Sequence, residues 1–195
     1  MIDPAKEESD PKPFFRPPPL ENDINDIFAG VQTRKFITKF IVHCSDSTWG
    51  DFKVIDEWHS QRTDKNGKKW QGIVNCGKTI YCGYHYIILN GKRTSKGPYV
   101  AEDDGLIEKG RPDNFIGSHC RGQNLHSIGI CLVGGVTKND FTDKEYKSLS
   151  KLLDRLVSLY EHDDIYGHYK FSPKPCPNFD VEEYVLRWRG GYYGI

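Results

Sequence analysis

The run Ser127-Ile128-Gly129-Ile130-Cys131-Leu132-Val133 holds no charged residue and almost no polar one. A strand with one wet face alternates apolar and polar side chains, whereas an unbroken apolar run needs cover on both faces. The chain must therefore place this segment inside a sheet with helices on either side. Thr142-Asp143-Lys144-Glu145 is a capping box, in which threonine and glutamate side chains satisfy each other's backbone N–H groups. Tyr146, Leu149, Leu152, Leu153, Leu156, Leu159 and Tyr160 then recur at helical spacing. Phe36 to Ser45 is β-rich, and Gly83 to Leu89 reads as a strand ending at the hairpin signal Asn90-Gly91. Alternation along that strand puts Tyr84 and Tyr86 on one face and His85 on the other. Asp51 to Arg62 predicts a short helix with Phe52, Ile55, Trp58 and His59 on one face. Trp58 and Trp188 are expected in the core, and Trp49, in a loop, is the better candidate for a groove wall. Lys65 to Thr79 reads as a loop insertion, Tyr166 to Phe171 as a strand or turn, and Val181 to Arg189 as a terminal helix. Interleaved strands and helices predict an α/β domain: a single mixed central β-sheet flanked by helices.

Residues 1–30 differ in kind. Pro11, Pro13, Pro17, Pro18 and Pro19 with scattered acids cannot bury a core, so this stretch is expected to be an arm or linker, with residues 31–195 forming the folded domain. Lys+Arg and Asp+Glu both number 27, giving a formal charge of zero. That balance excludes an electrostatic duplex-DNA binder, so no nucleic-acid partner is expected. No apolar run approaches the ~20 residues needed to cross a bilayer, so membrane insertion is not expected either. Met1 to Glu8 is polar and acidic, unlike a secretory signal. A monomer is expected.

Without a signal peptide, the six cysteines are by default free thiols or metal ligands. Cys131 fits a core position. Cys44 adjoins His43 on a strand and should point away from it. Cys76 and Cys82 could pair, or hold a second metal with His85, although their spacing matches no standard zinc pattern.

The stretch His168-Tyr169-Lys170-Phe171-Ser172-Pro173-Lys174-Pro175-Cys176-Pro177 joins an imidazole and a thiol through a proline-stiffened loop. His43, after Phe40-Ile41-Val42, is a third candidate ligand. Two histidines and one cysteine leave one tetrahedral position open, the arrangement of catalytic zinc (Zn2+) sites rather than structural ones. Such an ion can lower the pKa of its bound water toward about 7 and polarise an amide carbonyl. Lys174, one proline away from Cys176, can bring an ammonium near the metal, and Tyr84 can bring a phenol if its strand lies beside that of His43.

Val42-His43-Cys44-Ser45, Gly83 through Ile88, Gly117-Ser118-His119 through Asn124, Ser127 through Gly135, and Lys174-Pro175-Cys176-Pro177 occur in this order. As an ordered set they resemble the zinc-dependent N-acetylmuramoyl-L-alanine amidases of the phage lysozyme type, which share their fold with the peptidoglycan recognition proteins. The resemblance spans roughly residues 36 to 188, leaving out the N-terminal arm and the segment from Arg62 to Tyr81. It implies zinc on His43, His168 and Cys176, and catalytic roles for Tyr84 and Lys174. His119 and Asn124 are expected either to line the groove as substrate-binding residues or to satisfy the backbone of their own Gly-rich loop. His59, His126 and His162 match no catalytic position. No carboxylate in motif context must act as general base; Glu102 or Asp103 could enter from a loop.

The resemblance implies a peptidoglycan hydrolase that cuts the amide between N-acetylmuramic acid and L-alanine of the stem peptide, acting on peptidoglycan or muropeptides. A phage or prophage endolysin is expected, made in the host cytoplasm and released to the cell wall through a holin. The alternatives are a cytosolic muropeptide-recycling amidase and a non-catalytic peptidoglycan-binding protein. Non-catalytic members typically lose the cysteine ligand, and this chain keeps Cys176.

Overall fold

Every residue of Ser127–Leu132 is buried, as an apolar run with two covered faces requires. The computed structural model describes residues 36–64 and 66–192; the arm expected over residues 1–30 lies outside the described residues. In chain order the elements are β1 (Lys39–Cys44), α1 (Phe52–Ser60), β2 (Ile73–Asn75), β3 (Lys78–Ile80), β4 (Tyr86–Asn90), β5 (Asp104–Lys109), β6 (Ser127–Leu132), α2 (Asp143–Tyr160), β7 (Ile165–Gly167) and α3 (Val181–Arg189). Short 3₁₀ turns at Asn124–His126 and His168–Lys170 precede β6 and follow β7.

The main sheet has five strands in the order β5-β4-β6-β1-β7. β6 lies between β4 and β1, parallel to both, β7 is parallel to β1, and β5 is antiparallel to β4. The sheet is therefore mixed, with a parallel centre. Phe40, Val42, Ile88, Ile128, Ile130 and Leu132 pack beneath Leu149, Leu152, Leu153 and Leu156 of α2 and Val181, Tyr184 and Val185 of α3. Ile87, Leu89, Cys131 and Val133 pack on the opposite side with Ile55 of α1, against which Phe52 and Trp58 are half-buried. Burying each large aliphatic side chain contributes roughly 1.5–3 kcal/mol. Among the described residues no helix is long and apolar enough to cross a membrane.

One alternation expected from the sequence does not hold. Tyr86 joins the core beneath α2 and α3, whereas Tyr84 belongs to the side of α1. The chain enters β4 only at Tyr86. Just before it, the Gly129 N–H donates to the imidazole of His85 (2.9 Å) and the His85 N–H donates to the Gly129 carbonyl (2.9 Å). A side chain thus takes a place in the ladder, the period of two is broken, and Tyr84 turns toward α1. The insertion also holds more order than a loop, since β2 and β3 form a hairpin within it. All six cysteines are free thiols, with Cys76 exposed and Cys82 buried.

The capping box is present: Thr142 N–H donates to Glu145 Oε2 (2.9 Å) and Glu145 N–H to Thr142 Oγ1 (3.0 Å). The Thr142 hydroxyl in turn donates to Asp104 Oδ1 (2.6 Å), tying α2 to β5. Glu145 is completely buried, and its Oε1 has no partner among the described residues. Burial pushes its carboxyl from the ordinary 4.5 up to about 8. A carboxyl raised in the folded state keeps its proton where the unfolded chain has already released it, so stability falls as pH rises from about 4.5 to about 8. Glutamine also serves at this capping position. We expect Glu145→Gln to gain on the wild type across that window by up to a few kcal/mol, at ~1.4 kcal/mol per pKa unit. Urea unfolding at pH 5 and pH 8 checks this; an unchanged difference between the two proteins would count against it.

Candidate metal centre and its cavity

β1 delivers His43 to the side of the sheet that faces α1, and β7, its parallel neighbour, runs directly into His168. The two imidazoles consequently meet, with ring centroids 4.5 Å apart. The loop after His168 turns back, and the Tyr169 N–H donates to the Cys176 carbonyl (2.8 Å), bringing the Cys176 sulfur to 3.9 Å from His43 Nδ1. One ligand atom from each of His43, His168 and Cys176 lies within 4.8 Å of the others. Tetrahedral zinc, with bonds of ~2.0–2.3 Å, spaces its ligands about 3.3–3.6 Å apart. The His43–Cys176 separation, 3.9 Å, is within a few tenths of an ångström of that, and two imidazoles with one thiol fit the ion in chemistry.

The protonation states suit the same purpose. Burial first, and then the neighbouring His119 and His168, hold the His43 pKa well below the usual 6.5, which leaves its imidazole neutral. Burial, and then Lys174, lower His168 as well. The Cys44 thiol, and then burial, push the Cys176 thiol up, so a cation is what would make it a thiolate. Cys44 itself packs into the core beneath α2 and α3, as its place next to His43 predicts. It nonetheless reaches the site from behind: its N–H donates to the Cys176 sulfur (3.3 Å), and its own sulfur lies 3.7 Å away.

His119 completes a directed chain of hydrogen bonds. The Ser127 hydroxyl donates to the Gln123 carbonyl (2.8 Å), so its oxygen accepts from His119 Nε2–H (3.4 Å). His119 Nδ1 therefore carries the lone pair and accepts from His43 Nε2–H (3.0 Å). These directions assign the free lone pair of His43 to Nδ1, the nitrogen turned toward Cys176. Gly129 makes the arrangement possible, because a Cβ there would stand 2.5 Å from the His119 ring. Asn124 stands one step back: its Oδ1 accepts from the N–H groups of His119 and Cys120 (3.0 and 2.9 Å) and so fixes the loop that carries His119.

These groups open onto a cavity of about 880 Å³, lined among others by Tyr84, His119, Lys174 and Asp46. The Tyr84 ring lies 5.1 Å from that of His43, and burial raises its phenol well above 10, so it stays neutral and can donate a hydrogen bond. His59 supports it from beneath, with its ring 5.3 Å from Tyr84 and its Nδ1 accepting from the Gly83 N–H (2.9 Å). Burial, with Arg62 and Arg111 nearby, lowers His59 to about 3, so its imidazole is neutral near pH 7 and its Nδ1 can accept from Gly83.

The structure thus gathers His43, His168, Cys176, Tyr84, Lys174 and His119 around one cavity, while Asn124 is not among the residues that line it. Glu102 and Asp103 do not line it either; Asp103 pairs with Arg93 (2.7 Å). The aromatic wall differs from expectation. Trp49 packs edge-on against Trp58 (5.1 Å), and it is Trp58 and Trp70, with Arg62 and the carboxylate of Asp46, that face the cavity. No sequence pattern marks Trp70, which sits in the insertion.

The family described as N-acetylmuramoyl-L-alanine amidase matches residues 33–179. The endolysin of Escherichia phage T7 is 32% identical over 163 residues, covering 80% of this chain and 87% of its own. That of Enterobacteria phage T3 is 34% identical over 155 residues, covering 75% and 82%. In structure, an endolysin N-acetylmuramoyl-L-alanine amidase from Clostridium intestinale shares the fold with a TM-score of 0.59 at 24% identity, over 84% of this chain and 93% of that one.

Proposed function

Because this chain belongs to the N-acetylmuramoyl-L-alanine amidase family and is a peptidoglycan hydrolase, we propose that it works through a zinc ion held by His43, His168 and Cys176. The observation that carries this reading is the meeting of those three ligand atoms within 4.8 Å, beside a cavity that Tyr84 and Lys174 also line. When bound, the zinc ion polarises the scissile carbonyl and makes water acidic enough to attack near neutral pH.

The chain's own residues supply the rest. The Cys44 N–H donates to the Cys176 sulfur and favours its thiolate form. Tyr84, a neutral phenol, donates to the carbonyl oxygen as negative charge gathers on it, and the Lys174 ammonium stabilises the same charge. His119 orients His43. Outer-shell partners of this kind typically matter 10–100-fold in metal affinity. His119→Ala is therefore expected to weaken zinc binding by about that factor, read by competition with a chromophoric chelator. Unchanged affinity would reduce His119 to a wall residue that contacts substrate.

Residues 31–195 constitute the catalytic domain in this proposal, since every site residue lies at or beyond His43, and residues 1–30 are an appended arm. The protein acts as an endolysin, made in the host cytoplasm and released to the wall with the help of a holin. The direct test is incubation with purified cell wall: one zinc per chain and new L-alanine amino termini are expected, both lost on chelation. Cleavage elsewhere in the polymer, or full activity after complete chelation, would sink the reading.

A further inference from the structure

The formal charge of zero conceals an imbalance. Residues 31–195 hold 24 Lys and Arg against 20 Asp and Glu, so this part of the chain carries a positive surplus. Some of it gathers where α2 runs beside β5, on the face of the sheet away from α1. At one end the two elements touch. The Ser148 hydroxyl donates to the Gly105 carbonyl (2.6 Å), and a Cβ on Gly105 would stand 2.8 Å from the Lys144 carbonyl. Further along, a cleft of about 380 Å³ opens between them, lined by Tyr86, Ile107, Lys109, Lys151, Leu152 and Arg155. It shares no residue with the metal cavity.

Three of those six side chains are cations and none is a carboxylate. The neighbouring acids are turned elsewhere. Glu108, next to Lys109 on β5, accepts from the Phe52 N–H of α1 (2.7 Å) and pairs with Arg93 (2.6 Å). Asp154, next to Arg155 on α2, accepts from Trp188 Nε1–H of α3 (2.9 Å), and Glu145 is buried. Lys144, Ser148, Lys151 and Arg155 follow one another at i, i+4, i+7 and i+11, a stripe of α2 without an acid.

Lys109 is fixed from behind. Its ammonium lies 3.7 Å from the Tyr86 ring centroid and pairs with Asp113, whose Oδ2 accepts from the Tyr86 and Tyr160 hydroxyls (2.7 and 3.2 Å). Asp113 thus offsets one of the three charges. Lys151 and Arg155 are exposed, and among the described residues neither forms a salt bridge. Their two charges stand beside an apolar floor of Tyr86, Ile107 and Leu152. A phosphate monoester carries close to two negative charges at neutral pH, and a guanidinium fork matches its oxygens. The floor suits the esterified group, and the volume is that of a small-molecule site, too short for a run of phosphates.

We propose that the cleft between α2 and β5 binds a phosphate monoester, with Arg155 and Lys151 on the phosphate, Lys109 behind them and the esterified group on the floor. A soluble sugar phosphate and a phosphatidic acid headgroup offer this same chemistry. The site is independent of the amidase reading, and neither the metal nor its cavity enters the test.

The full-length protein is titrated with glucose-6-phosphate by calorimetry and sedimented with phosphatidylcholine vesicles that contain or lack phosphatidic acid. Binding at about 1 mM or tighter is expected on at least one phosphate probe, with none to glucose or to phosphatidylcholine alone. The probe that binds identifies the source. Arg155→Gln is expected to weaken that binding about tenfold, since a charge-assisted hydrogen bond is lost, and Lys151→Gln added to it should weaken it further. Arg155→Lys, which keeps the charge but not the fork, should restore it only in part. Lys53→Gln with Lys78→Gln removes two exposed charges from elsewhere on the surface and should change nothing. Binding to neither probe overturns the site, as does binding that the Arg155 and Lys151 variants leave untouched. An equal loss in the Lys53 and Lys78 variant also overturns it, by reducing the effect to diffuse attraction.

Discussion

Cys176→Ser is expected to leave purified protein with less than about a tenth of its zinc and to lower turnover by at least about a thousandfold. A hydroxyl is far less acidic than a thiol and binds zinc poorly, so the site would keep only the two imidazoles. The structure sharpens this expectation. Cys176 receives the Cys44 N–H at 3.3 Å and lies 3.9 Å from His43 Nδ1, so its sulfur is held within the cluster. The fold should survive, because Cys176 is only half-buried and the apolar core lies on β1, β4, β6 and the helices. Metal analysis, far-ultraviolet circular dichroism and L-alanine release on the same preparation give the answer. A folded serine variant with full zinc and full activity would mean that the ligand set is wrong.

That three-residue cluster illustrates which parts of this protein can be read from its sequence. β6 was legible because burial on both faces forbids polar alternation, and α2 because a capping box and a leucine stripe are local signals. The ligands were legible as residue types in a recognisable order. Their convergence depends on β7 lying beside β1, a long-range pairing that no local pattern encodes. Tyr84 shows the reverse case. Its phenol is expected near the metal if its strand lies beside that of His43, yet β6 lies between β4 and β1. Tyr84 lines the cavity on the side of α1, where the His85 imidazole, taking the place of a ladder partner of Gly129, breaks the alternation. Trp58, assigned to the core by helical spacing, is half-buried and serves both core and cavity. Arg62 and Trp70 could not be foreseen, since only the hairpin between them makes them neighbours.

Lys174 tests whether the cavity does more than hold a metal. It is exposed, and among the described residues it forms no salt bridge. It nevertheless lines the same cavity as His43, His168 and Cys176, and its charge helps to lower the pKa of His168. It is thus positioned to act on charge that develops during the reaction, without any part in ligand binding. Removing one preorganised oxyanion-stabilising group typically costs 10²–10³ in kcat. We expect Lys174→Ala to keep its zinc and its melting temperature while kcat falls by about a hundredfold or more, with KM changed far less. Lys174→Arg keeps the charge on a longer, planar head and should recover only part of the loss. The pattern matters as much as the size: a lysine that merely attracts an anionic substrate would raise KM and leave kcat alone. Kinetics on a soluble muropeptide at matched zinc content separate the two, and an alanine variant with wild-type kcat would reduce Lys174 to a surface charge at the rim of the cavity.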